Sequence, residues 1–243
     1  MPRTEDAIVL VGGLGTRLRE AVPDLPKPLA PVAGRPFVAW LLDQYADAGL
    51  RRVILATGHR AQAVRDAIGT RWAGLEIGYS HEHEPLGTGG AVRLAAEGLL
   101  GNGAFIANGD TFLRYQPARL EACVRRAGLD LGVALAEVPD LARFGAVDTQ
   151  DGRVVGFREK GAQGAGRINA GHYFASAEGL AALPTQAVYS FEHDVLEPWA
   201  SAGRVAAFEE TRDFLDIGIP DDYRRAGQVL PPWPSPASGG LAR

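Results

Sequence analysis

Three glycines, an arginine and a lysine near the start of the chain carry the clearest chemical signal. Gly12, Gly13 and Gly15 close a short apolar run, with Leu14 between them. Thr16 and Arg17 come next, and Lys27 follows between Pro26 and Pro28. Glycines let backbone N–H groups converge on an anion without side chains in the way. Convergent N–H groups plus two cations suit a nucleoside triphosphate, whose charge must be neutralised before its phosphorus can be attacked. The turn is not a Walker loop, because Gly15 leads into Thr16-Arg17 and not into Lys-Ser/Thr. Nor is it a Rossmann fingerprint, since Leu18 stands where the third glycine belongs.

A second glycine-bearing stretch is Glu84-Pro85-Leu86-Gly87-Thr88-Gly89-Gly90-Ala91. A loop of this kind can approach the flat face of a base and read its edge with backbone groups, while Thr88 also reads as a helix cap. In Asn108-Gly109-Asp110-Thr111 a carboxylate directly follows an apolar run, at a strand end where it can hold a divalent ion. Magnesium takes one or two protein carboxylates and completes its shell with phosphate and water. The second carboxylate of that set is Asp216, in Phe214-Leu215-Asp216-Ile217-Gly218; an aspartate between apolar residues is costly to bury unpartnered. Glu159-Lys160, taken alone, reads as a solvated ion pair. His81 and His83 alternate without a third ligand at useful spacing and read as surface residues. His59 reads as a turn residue, Trp40 and Trp72 as packing residues, and Cys123 as a buried, inert thiol.

These groups need elements to carry them. Ala7 to Val11, Val53 to Ala56, Leu75 to Tyr79 and Ala104 to Ala107 read as strands. Helical spacing from Phe37 to a stop at Gly49, from Ala61 to Ile68 and from Gly89 to Leu100 separates them. The alternation predicts crossover units and an α/β fold: a single-domain, Rossmann-like, mostly parallel sheet flanked by helices. Leu131 to Glu137, Gly145 to Asp148, Val154 to Arg158, Ala170 to Ala175 and Val205 to Phe208 are strand-like with little helix between them. They predict an antiparallel addition to that sheet, with helices at Asp194 to Ala200 and Asp221 to Val229. Open sheets of this class bind ligands at the carboxyl ends of their strands, where four of the motifs would meet.

The chain has 243 residues, 46% of them hydrophobic, and a net charge of −4 with no block of like charges. That balance argues against a nucleic-acid or anionic-membrane surface as partner. No signal segment and no apolar run of ~20 residues is visible, so a cytoplasmic protein is expected. Residues 1–230 are expected to form one domain, and 231–243, rich in Pro, Ser and Gly, a disordered tail. No internal repeat is present.

From Ala7 to about Gly227 the chain resembles the sugar-phosphate nucleotidylyltransferases. The resemblance rests on Gly-Gly-Leu-Gly-Thr-Arg-Leu with Pro-Lys-Pro-Leu, on Leu86-Gly87-Thr88-Gly89, on Glu159-Lys160 and on Asn169-Ala170-Gly171. Within that family it is nearest in pattern to the D-glycero-α-D-manno-heptose 1-phosphate guanylyltransferases. Val22 to Pro28, Phe157 to Gly161 and Ser190 to Leu196 carry this likeness, with His193 where a lysine is expected.

The resemblance implies that Arg17 and Lys27 are catalytic. It implies that Leu10, Gly12, Gly13, Leu14, Gly15, Thr16, Pro85, Leu86, Gly87, Thr88 and Gly109 hold the nucleotide. Gly145, Glu159, Lys160, Asn169 and Gly171 would hold the sugar phosphate, and Asp110 and Asp216 would hold Mg2+. The implied substrates are GTP and a sugar 1-phosphate, and a homo-oligomer is left open. A uridylyl-, thymidylyl- or mannose-directed enzyme and a non-catalytic nucleotide-sugar regulator are the alternatives.

Overall fold

Along the first strand Ala7 and Val9 are buried on one side and Ile8 on the other. This is the period of two expected of a strand covered on both faces. The computed structural model describes residues 4–13 and 25–230. In chain order the elements begin with β1 (Asp6–Leu10), a 3-10 turn (Lys27–Leu29), β2 (Pro31–Val32), β3 (Arg35–Pro36), α1 (Phe37–Asp47), β4 (Arg52–Thr57) and α2 (Ala61–Ile68). Next come β5 (Arg71–Trp72), β6 (Leu75–His81), α3 (Gly87–Ala96), β7 (Gly103–Asn108), β8 (Thr111–Arg114), α4 (Pro117–Ala127) and β9 (Leu131–Val138). The rest are β10 (Ala146–Gln150), β11 (Arg153–Arg158), β12 (Gly166–Ser176), α5 (Ala177–Ala181), a π-helical turn (Glu192–Leu196), α6 (Glu197–Ser201), β13 (Val205–Phe208), β14 (Arg212–Asp216) and α7 (Pro220–Val229).

Among the described residues, ten strands form one sheet in the order β10-β11-β13-β9-β12-β7-β1-β4-β6-β5. Seven run one way and β5, β11 and β12 run against them. The sheet is therefore mixed and mostly parallel, with the antiparallel strands chiefly in the later half, as the sequence predicts. Helices α1, α2 and α4 pack Leu41, Tyr45, Val64, Leu120 and Val124 on one face. Helix α3, the π turn and α6 pack Val92, Val195, Leu196 and Trp199 on the other. Each such fully buried side chain contributes roughly 1.5–3 kcal/mol.

Three features depart from the sequence reading. Helix α3 begins at Gly87 and stops at Ala96, short of Leu100. The segment 194–200 is not one helix. Pro198 has no N–H for the carbonyl of Asp194, so a π turn precedes a short α6. The third feature is the ribbon β8–β14, too short to show a period in sequence. It is held down by Phe112, Leu215 and Ile217, which pack with Phe37, Trp40, Ala226 and Leu230. The proposed tail, 231–243, lies outside the described residues. No helix of the described residues is long and apolar enough to cross a membrane.

Fully buried His172 of β12 stacks edge-on against Tyr115 at 5.5 Å between ring centres. Burial, with neither ring nitrogen finding a hydrogen-bond partner among the described residues, pushes its imidazole down to about 3. The unfolded chain takes up a proton near the ordinary histidine value and the folded chain does not. Stability is therefore full above about pH 6.5 and is lost as pH falls from there towards the folded value. Between about pH 7.5 and pH 5, unfolding free energy should drop by about 2 kcal/mol through this group alone. Urea unfolding of His172→Leu should show a pH dependence shallower by that amount. An unchanged slope would refute the assignment.

Candidate active site

Strands β7, β1, β4 and β6 are parallel, so their carboxyl ends share one edge. The ladder runs one step beyond each of three strands. Val11 N–H donates to the Ala56 carbonyl, Gly109 N–H to that of Leu10, and Glu82 N–H to that of Thr57, each at 2.9 Å. The loops thus leave in register, bringing Leu10, Gly12, Gly13, Gly58, Glu82, Pro85, Gly87 and Thr88 around a cleft of about 520 Å³. A smaller pocket of about 270 Å³ continues from it, lined by Leu10, Gly13, Lys27, Thr88, Asn108 and Asp110. Gly109 is pressed against the Leu10 carbonyl, where a Cβ would come within 2.8 Å. Leu14, Gly15, Thr16 and Arg17 lie outside the described residues.

Lys27 opens a 3-10 turn anchored by buried Pro28 and Leu29. Pro26 and Pro28 restrict the backbone on either side of it. Its Nζ is 3.3 Å from Asp110 Oδ2. Asp216 arrives from the far end of the chain because β14 pairs it with Thr111, next to Asp110. Ile217 N–H donates to the Asp110 carbonyl at 3.1 Å, and Gly218 N–H to Asp216 Oδ1 at 2.8 Å. A Cβ on Gly218 would lie 2.9 Å from Asp216 Oδ1 and 3.1 Å from Lys27 Nζ, so these groups crowd one point. Burial and then the like charge of Asp110 raise the Asp216 carboxyl above its ordinary value, against the Gly218 N–H and Lys27. The sequence pairing of Asp110 with Asp216 thus corresponds to spatial proximity.

The second glycine loop differs from its sequence reading. Gly87 has φ +70°, and a Cβ there would strike the Tyr189 carbonyl; one on Gly89 would strike the Tyr189 ring, and one on Gly90 the Ala187 carbonyl. These glycines dock the chain at 187–189, with Gly89 N–H donating to the Tyr189 carbonyl at 3.0 Å and Tyr189 N–H to that of Leu86 at 3.1 Å. Thr88 is not the cap of α3, which Leu86 precedes without a side-chain bond. Its hydroxyl sits in the first turn, donates to Glu192 Oε2 at 2.7 Å and accepts from Phe191 N–H at 2.8 Å.

Glu82 is a site residue that sequence reasoning missed. Its Oε2 accepts from Leu86 N–H at 3.1 Å, and its Oε1 lies where a Cβ on Gly12 would come within 3.1 Å. Nothing in the charged run 81–84 singles it out. Its neighbours His81 and His83 are exposed with rings 5.0 Å apart, and His59 is exposed at the same rim.

A third cleft, about 1060 Å³, is lined by Gly145, Glu159, Lys160, Asn169, Glu192, His193 and Glu197. Glu159 and Lys160 are exposed on the loop after β11. A Cβ on Gly145 would meet the Arg158 carbonyl at 2.9 Å, so that glycine first serves the close approach to β11. The β12–β9 register jumps between Asn169, opposite Leu135, and His172, opposite Ala134. At this bulge Gly171 has φ +74° and lies where a Cβ would come within 2.6 Å of Asn108 Nδ2. Asn169 accepts from Gly171 N–H at 2.9 Å and donates to the Tyr173 hydroxyl at 2.8 Å. His193 is exposed, its Nδ1 2.9 Å from Glu197 Oε1.

The nucleotidyl transferase family model matches residues 6–231. The chain is 39% identical to the D-glycero-alpha-D-manno-heptose 1-phosphate guanylyltransferase of Aneurinibacillus thermoaerophilus, over 93% of this chain and 98% of that one. It is 36% identical to the mannose-1-phosphate guanylyltransferase of Mycobacterium tuberculosis, over 97% of this chain and 67% of that one. A crystal structure of HddC from Yersinia pseudotuberculosis complexed with GMP-PN superposes with a TM-score of 0.81 at 34% identity, covering 93% of this chain and 99% of HddC. With a lysine and two carboxylates gathered at the carboxyl edge of its sheet, and this likeness along nearly its whole length, the chain belongs to the nucleotidyl transferase family.

Proposed function

We propose that this chain transfers GMP from GTP to a sugar 1-phosphate, D-glycero-α-D-manno-heptose 1-phosphate, giving GDP-heptose for bacterial surface polysaccharide and releasing pyrophosphate. The observation that carries this reading is the gathering of Lys27, Asp110 and Asp216 beside the nucleotide cleft, at the point where Gly171 joins the third cleft to Asn108. The base and sugar are supported by the likeness to the heptose 1-phosphate enzyme of Aneurinibacillus thermoaerophilus. GDP-bound sugars are made in the cytoplasm, which is the compartment this function requires.

The sugar 1-phosphate is already ionised, so no general base is needed. Its oxygen attacks the α-phosphorus of GTP, the bond to the β-phosphate breaks, and the electron pair leaves with pyrophosphate. Catalysis is alignment of two anions and neutralisation of the charge that builds between them. Gly12, Gly13 and Gly15, with Leu10, Leu14, Thr16 and Gly109, hold the nucleotide, and Arg17 holds the departing pyrophosphate. Lys27 neutralises the α-phosphate and the incoming oxygen. Glu159, Lys160, Asn169, Gly145 and Gly171 hold the sugar phosphate.

Asp110 and Asp216 are hard oxygen donors crowded close enough to raise one of them, a set that a divalent cation relieves. Among the described residues no group of three or more His, Cys, Asp or Glu could hold a metal by itself. Such a donor set fits Mg2+, which keeps few protein ligands and accepts phosphate and water for the rest. Bound there, Mg2+ would neutralise triphosphate charge.

Pyrophosphate release with Mg2+, each of four nucleoside triphosphates and a panel of sugar 1-phosphates tests this reading. Release with GTP and the heptose 1-phosphate is expected. Another productive pair would replace the substrates, and no release with any pair would favour a regulator. Lys27→Ala should lower kcat by ~10²–10³, the loss typical of one transition-state donor, with folding intact by circular dichroism. Normal turnover would remove Lys27 from this role.

Glu82 supports the choice of guanine. A carboxylate can accept from both N1–H and the 2-amino group of that base, and no other common base presents this pair of donors. In Glu82→Gln the preference for GTP over ATP, measured as a ratio of kcat/KM, should fall by ~10-fold or more. An unaltered ratio would leave base selection to the backbone.

A further inference from the structure

Glu192 lies in one cleft and binds the loop that lines another. It lines the third cleft, and its Oε2 accepts from the Thr88 hydroxyl of the nucleotide loop at 2.7 Å and from Ser190 Oγ at 3.1 Å. Its charge also bears on the fully buried phenol of Tyr173, which burial already holds far above its ordinary value and which a hydrogen bond from Asn169 opposes. Asn169 Nδ2 donates to that phenol at 2.8 Å, and Asn169 Oδ1 accepts from Gly171 N–H at 2.9 Å, where the chain touches Asn108. A parallel contact is apolar. Phe191, whose N–H binds Thr88, stacks edge-on against Tyr173 at 5.1 Å between ring centres. A chain of contacts thus runs from the nucleotide loop through Thr88, Phe191 and Tyr173 to Asn169, which lines the third cleft.

The path crosses the π turn Glu192–Leu196, which lacks the regular helical ladder because Pro198 follows it. Such turns recur at functional sites. A shift of the loop 86–90 on nucleotide binding bears on the turn, since Thr88 is bonded to Phe191 and Glu192 at its start.

Resting on the reaction proposed above, we infer that Phe191 and Tyr173 are positioning residues that couple the two substrate sites: seating the nucleotide against Thr88, which Glu192 holds, sets, through Phe191 and Tyr173, the side chain of Asn169 that receives the sugar 1-phosphate. Neither residue touches the reacting atoms. Coupling of this kind is reciprocal, so each substrate tightens the other by the same factor.

Calorimetric titration of the full chain tests this. The affinity for the heptose 1-phosphate is measured with and without a GTP analogue whose α,β-bridging oxygen is a methylene, so that no transfer occurs. In the natural chain the analogue should tighten the sugar phosphate by ~10-fold. Tyr173→Phe removes one hydroxyl and keeps the ring against Phe191. In it the factor should fall to within about twofold of unity, while affinity for the analogue alone shifts by less than about threefold. Phe191→Leu, a second variant that removes the ring stacked on Tyr173, should behave alike, and melting temperature reports whether each folds. A merely structural role would weaken both ligands or neither and leave the factor in place. A factor retained in both variants, or near unity in the natural chain, overturns the coupling. Binding by none of the four corresponding nucleotide analogues is a separate result, and it overturns the transfer reaction itself.

Discussion

Two carboxylates from distant parts of the chain, one near its middle and one near its end, are kept beside each other in a partly dry pocket. Asp110 is fixed by its own strand end, and Asp216 by the two-stranded ribbon that pairs it with Thr111. Left to themselves, like charges at this separation from water would push the ribbon apart. The rest of the site is arranged to answer that repulsion. Lys27 stands beside Asp110, which lines the smaller pocket, and the Gly218 N–H donates to the Asp216 carboxylate. The buried cluster of Phe112, Leu215, Ile217, Phe37 and Trp40 supplies the packing that holds the ribbon closed.

Backbone proximity, more than side-chain reach, organises the two substrate clefts. At Gly87 and Gly171 a left-handed backbone coincides with contact so close that no side chain would fit. The first welds the nucleotide loop to the segment carrying Glu192. The second lays the bulge of β12 against Asn108 at the end of β7. Both contacts join pieces of chain that meet only in three dimensions.

The heavily apolar strands β1, β4 and β7 and the alternation with α1, α2 and α3 were legible because period and run length survive in any buried parallel sheet. The glycine turn, the Pro-Lys-Pro segment and Asp110 were legible for a related reason: chemistry at a strand end leaves a local signature. Less could be read of the second half. The ribbon β8–β14 is too short to show a period, and the β12 bulge is set by a register jump against β9. Thr88 looked like a cap because caps and ligand contacts draw on the same residue types. Its hydroxyl is in fact taken by Glu192, more than a hundred positions away.

By itself, then, the sequence determined the fold class, the family and the residue types that can meet phosphate and metal, since each of these depends on local pattern. Only the tertiary structure decided that Asp216 lies by Asp110, that Glu82 lines the cleft at the strand ends and that Glu192 reaches Thr88 from the third cleft. It also decided that Gly87, Gly89 and Gly90 of the second loop pack against 187–189. Those facts depend on strand pairing and on contacts between distant segments. A carboxylate carries the same letter whether its partner is a water molecule, a lysine or a threonine from the far side of the sheet.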